Sequence, residues 1–205
     1  MKLYYAPGAC SLATRISLHE AGIAAEYEQV DVKAKVTGSG GDYLALNPKG
    51  SVPMLVLDDG QAVTENVAIM DLLAEIEPSL GVDGALGRTR LIEMLSFLST
   101  ELHIAFKPFF HESTPDDRTK AGAAVTRCLD LIEERVSPDF LFGPRFTGAD
   151  AYLWVMLRWA VNFGVPIKPG MVTYFERIAE RPTVQQALSE EGLTVARPTF
   201  AAAMA

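Results

Sequence analysis

Residues 47–70, NPKGSVPMLVLDDGQAVTENVAIM, form the stretch that decides the fold of this 205-residue chain. The apolar run at 54–57 is followed by Asp58-Asp59-Gly60, and Asp-Gly between two apolar runs is a strong signal for a tight β-hairpin turn. A second short strand at 61–63 leads into Thr64-Glu65-Asn66, which is typical of a helix N-terminus. The stretch therefore predicts a β-hairpin that continues directly into a helix.

Two places in this stretch leave main-chain groups available to a ligand. Pro53 at the start of a strand cannot donate to the ladder, so Val52 before it keeps free main-chain groups, and the Val52–Pro53 bond is a candidate cis peptide. Glu65 and Asn66 place a carboxylate and free amides at the positive end of a helix. This combination favours a small peptide-like ligand that carries both an amine and carboxylates.

The residues before this stretch complete a small α/β unit. A short strand, a helix that begins at Cys10 or Ser11, and a second strand precede a Gly-rich loop at 37–41, which is predicted to be flexible, and a short helical turn. Because a helical crossover joins the first two strands, they are expected to be parallel. With the hairpin and its helix, the predicted order is β-α-β-α-β-β-α over residues 1–77.

The rest of the chain is predicted to be helical, after a Gly-rich segment at 79–87 with the composition of a linker. Apolar residues then recur at alternating spacings of four and three, as on the core-facing side of a helix: these are Leu91, Leu95, Leu98, Leu102 and Phe106. Thr114-Pro115 begins another helix, and Thr147-Gly148-Ala149-Asp150 is a capping box before an apolar helix. Two short helices follow, and an Ala-rich tail at 197–205 is expected to be loosely attached.

Composition and charge exclude several classes of partner. The chain carries 18 basic and 26 acidic residues, a net charge of −8, without basic runs, which argues against nucleic acid and anionic membranes. The N-terminus lacks the apolar segment of a signal peptide, and the longest apolar stretch is interrupted by Arg158 and too short to span a bilayer. Cys10 and Cys128 match no metal-binding spacing. A metal-free cytoplasmic protein with reduced thiols is therefore predicted.

Cys10 is the first candidate for chemistry, because it follows Pro-Gly-Ala at the start of the first helix. Unpaired amides and the helix dipole favour an anion there, which predicts a lowered pKa for the thiol. Ser11 beside it is a possible hydroxyl donor to a bound sulfur anion. The alternative is that Cys10 is a small helix-start residue, buried only for packing.

His103 is the second candidate. Ser96, Thr100, His103 and Lys107 recur at four, three and four residues, so one helical face is predicted to carry them all. This face is either part of a site or an ordinary solvated surface. Lys35, just before the Gly-rich loop, is either a mobile surface charge or a clamp on a ligand carboxylate.

Motifs that cover nearly the whole chain, to about Leu193, resemble bacterial glutathione S-transferases, and within that family the beta class. They are MKLYYAPGACSLATRISLHEAG, DYLALNPKGSVPMLVLDDG, VTENVAIMDLLAE, FLSTELHIAFKPFF, FTGADAYLWVMLRWA and ERPTVQQALSEEGL. The resemblance implies a thioredoxin-like N-terminal α/β domain, placed here at 1–80, and an all-α helical domain at 87–205. It also implies a homodimer whose two active sites lie near the interface.

The resemblance also assigns expected roles to single residues. It implies that Cys10 contacts the glutathione sulfur and can form a mixed disulfide, and that Val52 pairs its main chain with the cysteinyl unit beside the cis Pro53. Further glutathione contacts are expected from Lys35, Glu65, Asn66, Ser96, Thr100, Glu101, Leu102 and His103. The chain departs from the family pattern at Ser96, where Asn is common, at Asn66, where Gly or Ser is more usual, and at Ile104, where Lys is frequent.

The function expected from this resemblance is conjugation of glutathione, as its thiolate, to small hydrophobic electrophiles, as in detoxification. Cys10, Ser11 and His103 are the expected catalytic residues, and glutathione is a co-substrate without a metal. An apolar electrophile pocket is expected from Ala6, Pro7, Phe106 and Phe109. Two alternatives remain: a glutathione-dependent thiol–disulfide reductase or peroxidase that uses Cys10, and a non-catalytic member that binds a ligand or protein partner.

Overall fold

The computed structural model describes residues 1–195, and its N-terminal part is built on a mixed five-stranded sheet. The strands lie in the order β3-β2-β1-β4-β5. β1 pairs in parallel with β2, as the helical crossover predicts, and antiparallel with β4. The strands are β1 (Lys2–Tyr5), β2 (Glu26–Asp31), β3 (Val36–Thr37), β4 (Met54–Val56) and β5 (Ala62–Thr64).

Helices cover this sheet and form the rest of the described chain. The N-terminal part contains α1 (Ser11–Glu20), α2 (Tyr43–Leu46), α3 (Asn66–Ile76) and a 3₁₀ turn (Pro78–Leu80). The C-terminal part contains α4 (Gly87–Phe97), a π-helical turn (Leu98–Leu102), α5 (His103–Ala105), α6 (Lys107–Phe110), α7 (Pro115–Glu133), α8 (Gly148–Phe163), α9 (Pro169–Ala179) and α10 (Pro182–Glu190). The predicted fold class, an α/β part followed by an all-helical part, is confirmed. The predicted loose tail at 197–205 lies outside the described residues.

The hairpin predicted from residues 47–70 is present. β4 and β5 pair antiparallel, and the turn between them is closed by the Gly60 amide, which donates to the Leu57 carbonyl at 3.0 Å. The Val52–Pro53 peptide bond is cis, as predicted. Asn66 begins α3 directly after β5, so the N-terminus of this helix lies at the edge of the sheet.

The Gly-rich loop, which was predicted to be flexible, is closed by two hydrogen bonds between Thr37 and Gly41. The Gly41 amide donates to Thr37 Oγ1 at 2.9 Å, and the Thr37 amide donates to the Gly41 carbonyl at 2.9 Å. These bonds fold the glycines into a tight turn, so the two residues of β3 can pair antiparallel with β2. Glycine residues can adopt backbone angles that other residues rarely adopt, and here they form a tight turn.

The leucine stripe and the capping box are both confirmed. The five stripe residues, Leu91 to Phe106, are fully or almost fully buried in the main core. At the start of α8, the Asp150 carboxylate is fully buried and accepts four hydrogen bonds, from the Thr147 amide (2.8 Å), the Thr147 hydroxyl (2.6 Å), the Leu141 amide (2.8 Å) and the Tyr174 hydroxyl (2.6 Å). Asp150 therefore ties the start of α8 to the preceding loop and to α9.

α8 is the central helix of the molecule. All its residues from Gly148 to Ala160 are buried, which explains why its sequence is apolar on every side. It packs against α1 of the N-terminal part and against α3, α4 and α9. No helix within residues 1–195 is long and apolar enough to cross a membrane.

Replacing Asp150 with alanine is expected to lower the free energy of unfolding by roughly 3 to 5 kcal/mol. The reason is that several buried donors lose their acceptor together, and each unsatisfied buried group costs about 1 to 3 kcal/mol. Urea unfolding followed by circular dichroism measures this change.

The matched control is Asp117→Ala, at the same position of the capping box that begins α7. Asp117 bonds Thr114 in the same pattern but in contact with solvent, so its loss is expected to be a small fraction of the Asp150 effect. Equal losses for the two variants would mean that burial of the box is not what makes Asp150 important.

Candidate functional site

A cleft of about 230 Å³ lies where the N-terminal sheet meets the helical part. Its walls come from the start of α1, the cis-proline loop before β4, the start of α3, the helix that carries His103, and α8. The lining residues are Cys10, Ser51, Val52, Pro53, Glu65, Asn66, Ser99, His103, Ile104, Lys107 and Tyr152. The fold therefore brings together Cys10, the Val52–Pro53 pair, the Glu65–Asn66 pair and His103, which the sequence had singled out separately.

Cys10 lies at the N-cap of α1, and its thiol is bound as a hydrogen-bond donor. Sγ donates to the Val52 carbonyl at 3.4 Å, and the Asn66 side-chain amide donates to the Cys10 carbonyl at 3.1 Å. Burial raises the pKa of the Cys10 thiol to about 12, in spite of neighbouring backbone amides that favour the thiolate. The predicted lowering of this pKa is therefore wrong, because desolvation outweighs the helix N-terminus.

The Val52 main chain faces the cleft at the cis-proline loop. Its carbonyl accepts the Cys10 thiol, and its amide finds no protein partner among residues 1–195. A ligand peptide in extended conformation can pair with such a main-chain segment as an added strand does.

Glu65 and Asn66 form the opposite rim at the start of α3. Glu65 adopts φ +74°, an uncommon conformation for a residue with a side chain and one that clusters at functional sites. Its exposed carboxylate accepts a hydrogen bond from Lys49 Nζ at 2.6 Å. The Asn66 side chain is buried and held by the Thr14 hydroxyl, which donates to Oδ1 at 3.0 Å. The rim therefore offers a carboxylate to an amine and a fixed amide beside it.

His103 stands on the far wall with Tyr152. Its Nδ1 lies 2.7 Å from the Tyr152 hydroxyl oxygen, and its ring meets Trp159 edge-on at 5.0 Å. Burial and the nearby charge of Lys107 lower the pKa of His103, which keeps the imidazole neutral. Burial also holds the pKa of Tyr152 well above its usual value, which keeps the phenol protonated.

The π-helical turn explains why only part of the predicted His103 face reaches the cleft. A π turn has more residues per turn than an α-helix, so Ser99, four residues before His103, lies on the same side of the helix as His103. Ser99 lines the cleft, whereas Ser96 and Thr100 do not. Thr100 donates its hydroxyl to the Ser96 carbonyl at 3.0 Å instead. Lys107, one turn after His103, does line the cleft.

Several other predicted site residues do not line the cleft. Ser11 is buried and its hydroxyl donates to the Ala6 carbonyl at 3.3 Å, so the structure does not aim it at a bound sulfur. Leu102 is fully buried in the core, whereas Glu101 is exposed on the outside of the helix. Lys35 lies just behind the cis-proline loop, where Nζ donates to the Gly50 carbonyl at 2.7 Å.

The apolar pocket predicted from Ala6, Pro7, Phe106 and Phe109 needs correction at two positions. Phe106 is fully buried and cannot form an open wall, because the leucine stripe to which it belongs faces the core. Ala6 is also buried, and Phe109 stacks on Phe163 with ring centroids 4.9 Å apart. Phe110, which the sequence analysis did not select, is 47% exposed and sits edge-on to Trp159 at 4.7 Å.

Tyr152 is the main site residue that sequence reasoning missed, because it lies within a helix that reads as core. The available signal was its phenol group in an otherwise apolar helix, since a buried tyrosine usually has a hydrogen-bond partner. Ser51 and Ser99 were also missed. Within residues 1–195, no cluster of three or more His, Cys, Asp or Glu side chains is placed to hold a metal ion.

The loop that precedes Cys10 is fixed from the helical part. The Gly8 amide donates to Glu191 Oε2 at 2.8 Å, and Trp159 Nε1 donates to the Gly8 carbonyl at 2.8 Å. Glu191 also accepts from Arg15 Nε at 3.1 Å, and burial raises the pKa of its carboxyl to about 7. We call this arrangement the Gly8 clamp; it makes the position of Cys10 depend on both parts of the chain.

Comparisons with known proteins agree with this geometry. The family model described as "Glutathione S-transferase, N-terminal domain" matches residues 8–76, and "Glutathione S-transferase, C-terminal domain" matches residues 115–188. The chain is 43% identical over 200 residues to glutathione S-transferase GstA of Escherichia coli O157:H7, covering 94% of this chain and 100% of that protein.

Solved structures give the same result. A bacterial beta class glutathione S-transferase from Sphingomonas chungbukensis is 42% identical, with a TM-score of 0.88 over 95% of this chain and 100% of that one. A sphingomonad glutathione S-transferase complexed with glutathione is 39% identical, with a TM-score of 0.88 and the same coverage. With its thioredoxin-like N-terminal domain, its helical C-terminal domain and these matches along nearly its whole length, the chain belongs to the glutathione S-transferase family.

Proposed function

We propose that the protein binds glutathione in this cleft and transfers it, through its sulfur, to small hydrophobic electrophiles. The observation that carries the proposal is the meeting of three features in one cleft: the open Val52 main chain, the Glu65–Asn66 rim, and the Cys10–His103 pair. Each feature suits a different part of the same tripeptide. In the related sphingomonad enzyme, glutathione is the bound ligand.

The three parts of glutathione are assigned by their chemistry. The cysteinyl main chain would pair with Val52, and the amine and carboxylate of the γ-glutamyl end would meet Glu65 and the start of α3. The glycyl carboxylate would lie towards Lys35, whose ammonium group retains donors beyond the one given to Gly50. The sulfur would then lie between Cys10 and His103.

This placement gives Cys10 a specific role in conjugation. Its raised pKa keeps it a thiol at neutral pH, so it can turn its S–H from the Val52 carbonyl to the sulfur of glutathione. A donated hydrogen bond favours the thiolate of glutathione over its thiol, which lowers the pKa of the bound thiol. The thiolate then attacks the electrophile and forms the new carbon–sulfur bond.

The electrophile is proposed to bind beside the aromatic residues next to His103. Trp159 contacts His103, and Phe110 extends the aromatic surface from Trp159 to solvent. The exposed Pro7 precedes the clamped Gly8 and would form the facing side. Such a surface favours planar, apolar molecules over charged ones.

A second function uses Cys10 as a nucleophile in glutathione-dependent reduction of disulfides or peroxides. The position of Cys10 within the cleft favours it, whereas the raised pKa makes the thiolate scarce at neutral pH. A non-catalytic role in binding a ligand or protein partner is the third reading.

The remaining expectations extend the proposal. We place the glutathione domain at residues 1–80 and the helical domain at 87–205, and we expect a cytoplasmic homodimer that uses no metal and binds neither nucleic acid nor membrane. The net charge of −8 supports the last two points. Both cysteines are free, in keeping with a reducing compartment.

Isothermal titration with reduced glutathione tests the ligand. We expect saturable binding at about one site per chain, and Glu65→Gln should weaken the affinity about tenfold, because the amine loses a charged acceptor. Glu75→Gln, an equivalent change on the same helix outside the cleft, serves as control and should bind like the wild type. No binding by the wild type would rule out the proposed function.

Replacing Cys10 with alanine separates the two activities. Conjugation of a chromogenic electrophile should fall by about tenfold or less, since one hydrogen bond to the thiolate is lost, whereas reduction of a mixed disulfide should stop. Cys128→Ala, which removes the half-buried thiol of α7, should change neither activity. Complete loss of both activities in Cys10→Ala would show that conjugation and reduction share one obligatory step.

The pH dependence of alkylation tests the state of Cys10. In a Cys128→Ser background, the rate of modification by iodoacetamide should be low at pH 7 and rise about tenfold per pH unit through pH 9, because only the thiolate reacts and the pKa lies near 12. Mass spectrometry measures the rate. In the urea-unfolded protein the rate should reach half its maximum near pH 8.5 and level off about one pH unit above that. A plateau below pH 7 in the folded protein would mean that Cys10 is a thiolate.

A further inference from the structure

We propose that Tyr152 is a positioning residue that fixes the tautomer of His103, so that the imidazole carries its proton on Nε2 and acts as a donor to the sulfur of the bound ligand. This inference deepens the proposed function and rests on it for the identity of the sulfur. Its structural part, the tautomer, can be measured without any ligand.

The contact between the two side chains is short and partly buried. Tyr152 is 1% exposed, and its hydroxyl oxygen lies 2.7 Å from His103 Nδ1. At this distance one of the two atoms must donate to the other. The direction of donation decides on which ring nitrogen the proton of His103 lies.

The surroundings of the phenol set that direction. Asn66 accepts the Thr14 hydroxyl on its Oδ1, so its amide nitrogen is the group left to face outward, and it already donates to the Cys10 carbonyl. An amide nitrogen cannot accept the phenol proton. The Ser99 hydroxyl also lies near the phenol and, like the Asn66 amide, lowers the pKa of Tyr152 as a hydrogen-bond donor. His103 Nδ1, at 2.7 Å, is the contact that accepts the phenol proton, so Tyr152 donates and Nδ1 is left without a proton.

The imidazole itself is neutral. Burial and the charge of Lys107 both lower the pKa of His103. A neutral imidazole has one N–H, and with Nδ1 as acceptor that proton lies on Nε2, at the opposite edge of the ring. His103 lines the cleft with Cys10 and Val52.

The consequence for catalysis is a restricted role for His103. The sequence left open whether this residue donates a hydrogen bond or takes a proton. With the Nε2–H tautomer held in place, its part in the cleft is to donate to the thiolate, in the same sense as the Cys10 thiol. The proton of glutathione then leaves to solvent, and neither Tyr152 nor His103 changes its protonation state.

Nuclear magnetic resonance of ¹⁵N-histidine-labelled protein at pH 8 tests the tautomer. The chain has three histidines, and His103→Gln assigns the relevant signals. We expect the Nε2–H pattern for His103 in the wild type, and a shift towards a mixture with the Nδ1–H form in Tyr152→Phe. An Nδ1–H pattern in the wild type, or an unchanged pattern in Tyr152→Phe, would overturn the proposal.

Tyr174→Phe is the matched control, because it also removes one buried phenol hydroxyl, here the one bonded to Asp150. It should lower stability without changing the His103 tautomer. A general loosening of the fold would alter both variants, whereas the proposed contact predicts a change in Tyr152→Phe alone.

A kinetic measurement connects the tautomer to the reaction. In Tyr152→Phe, kcat at neutral pH should fall about tenfold, with KM for glutathione changed less than about twofold, because the donor is aimed at the thiolate and not at the rest of the ligand. If glutathione fails to bind the wild type, the proposed function is lost, but the tautomer result stands by itself. If binding and kcat are unaffected while the tautomer shifts, the role of the donor is refuted.

Discussion

The buried carboxylate of Asp150 is the constraint on which the rest of the structure depends. Its four hydrogen bonds fix where α8 begins, and so fix the rotation of every residue that α8 presents. Two residues on, Tyr152 reaches His103; a little over two turns on, Trp159 reaches the Gly8 carbonyl. Both ends of the reactive region are therefore held by one helix of the C-terminal part, although most of the cleft is built from the N-terminal sheet. A shift of α8 by one residue would remove both contacts at once, because successive residues on a helix point about 100° apart.

Burial gives the sulfur site its electrostatic character. Desolvation raises the pKa of Cys10 and of Tyr152 and lowers that of His103, so all three groups are neutral near pH 7. The neutral state of Cys10, Tyr152 and His103 suits a ligand sulfur that brings the negative charge itself. The one carboxylate at the rim, Glu65, is exposed and lies at the start of α3, where the amine of a peptide ligand is expected.

Sequence reasoning was sufficient for features set by local chemistry. The Asp-Gly turn, the cis proline, the leucine stripe and the Thr147–Asp150 box each follow from a few neighbouring residues, and each is present. Sequence reasoning failed where residues that are distant in the sequence determine the property of a site residue. The pKa of Cys10 depends on burial by other elements, the π turn rotates Ser99 and not Thr100 into the cleft, and Tyr152 has meaning only beside His103. The β3 strand was hidden because glycine-rich composition does not distinguish a loose loop from a tight turn that hydrogen bonds close.

The Gly8 clamp has a consequence for how such a chain can be recombined. Both main-chain groups of a single glycine are held by side chains more than 150 positions away, the amide by Glu191 and the carbonyl by Trp159. A chimera that joins this N-terminal half to the helical half of a relative keeps its cysteine in place only if the incoming half supplies an acceptor and a donor at the same two points. Gly8 has φ +68°, and a Cβ added to it would lie only 3.3 Å from the guanidinium of Arg158. The two halves are therefore matched in shape as well as in polarity. The two halves are separate in sequence, but they have to be exchanged together if the position of Cys10 is to be kept.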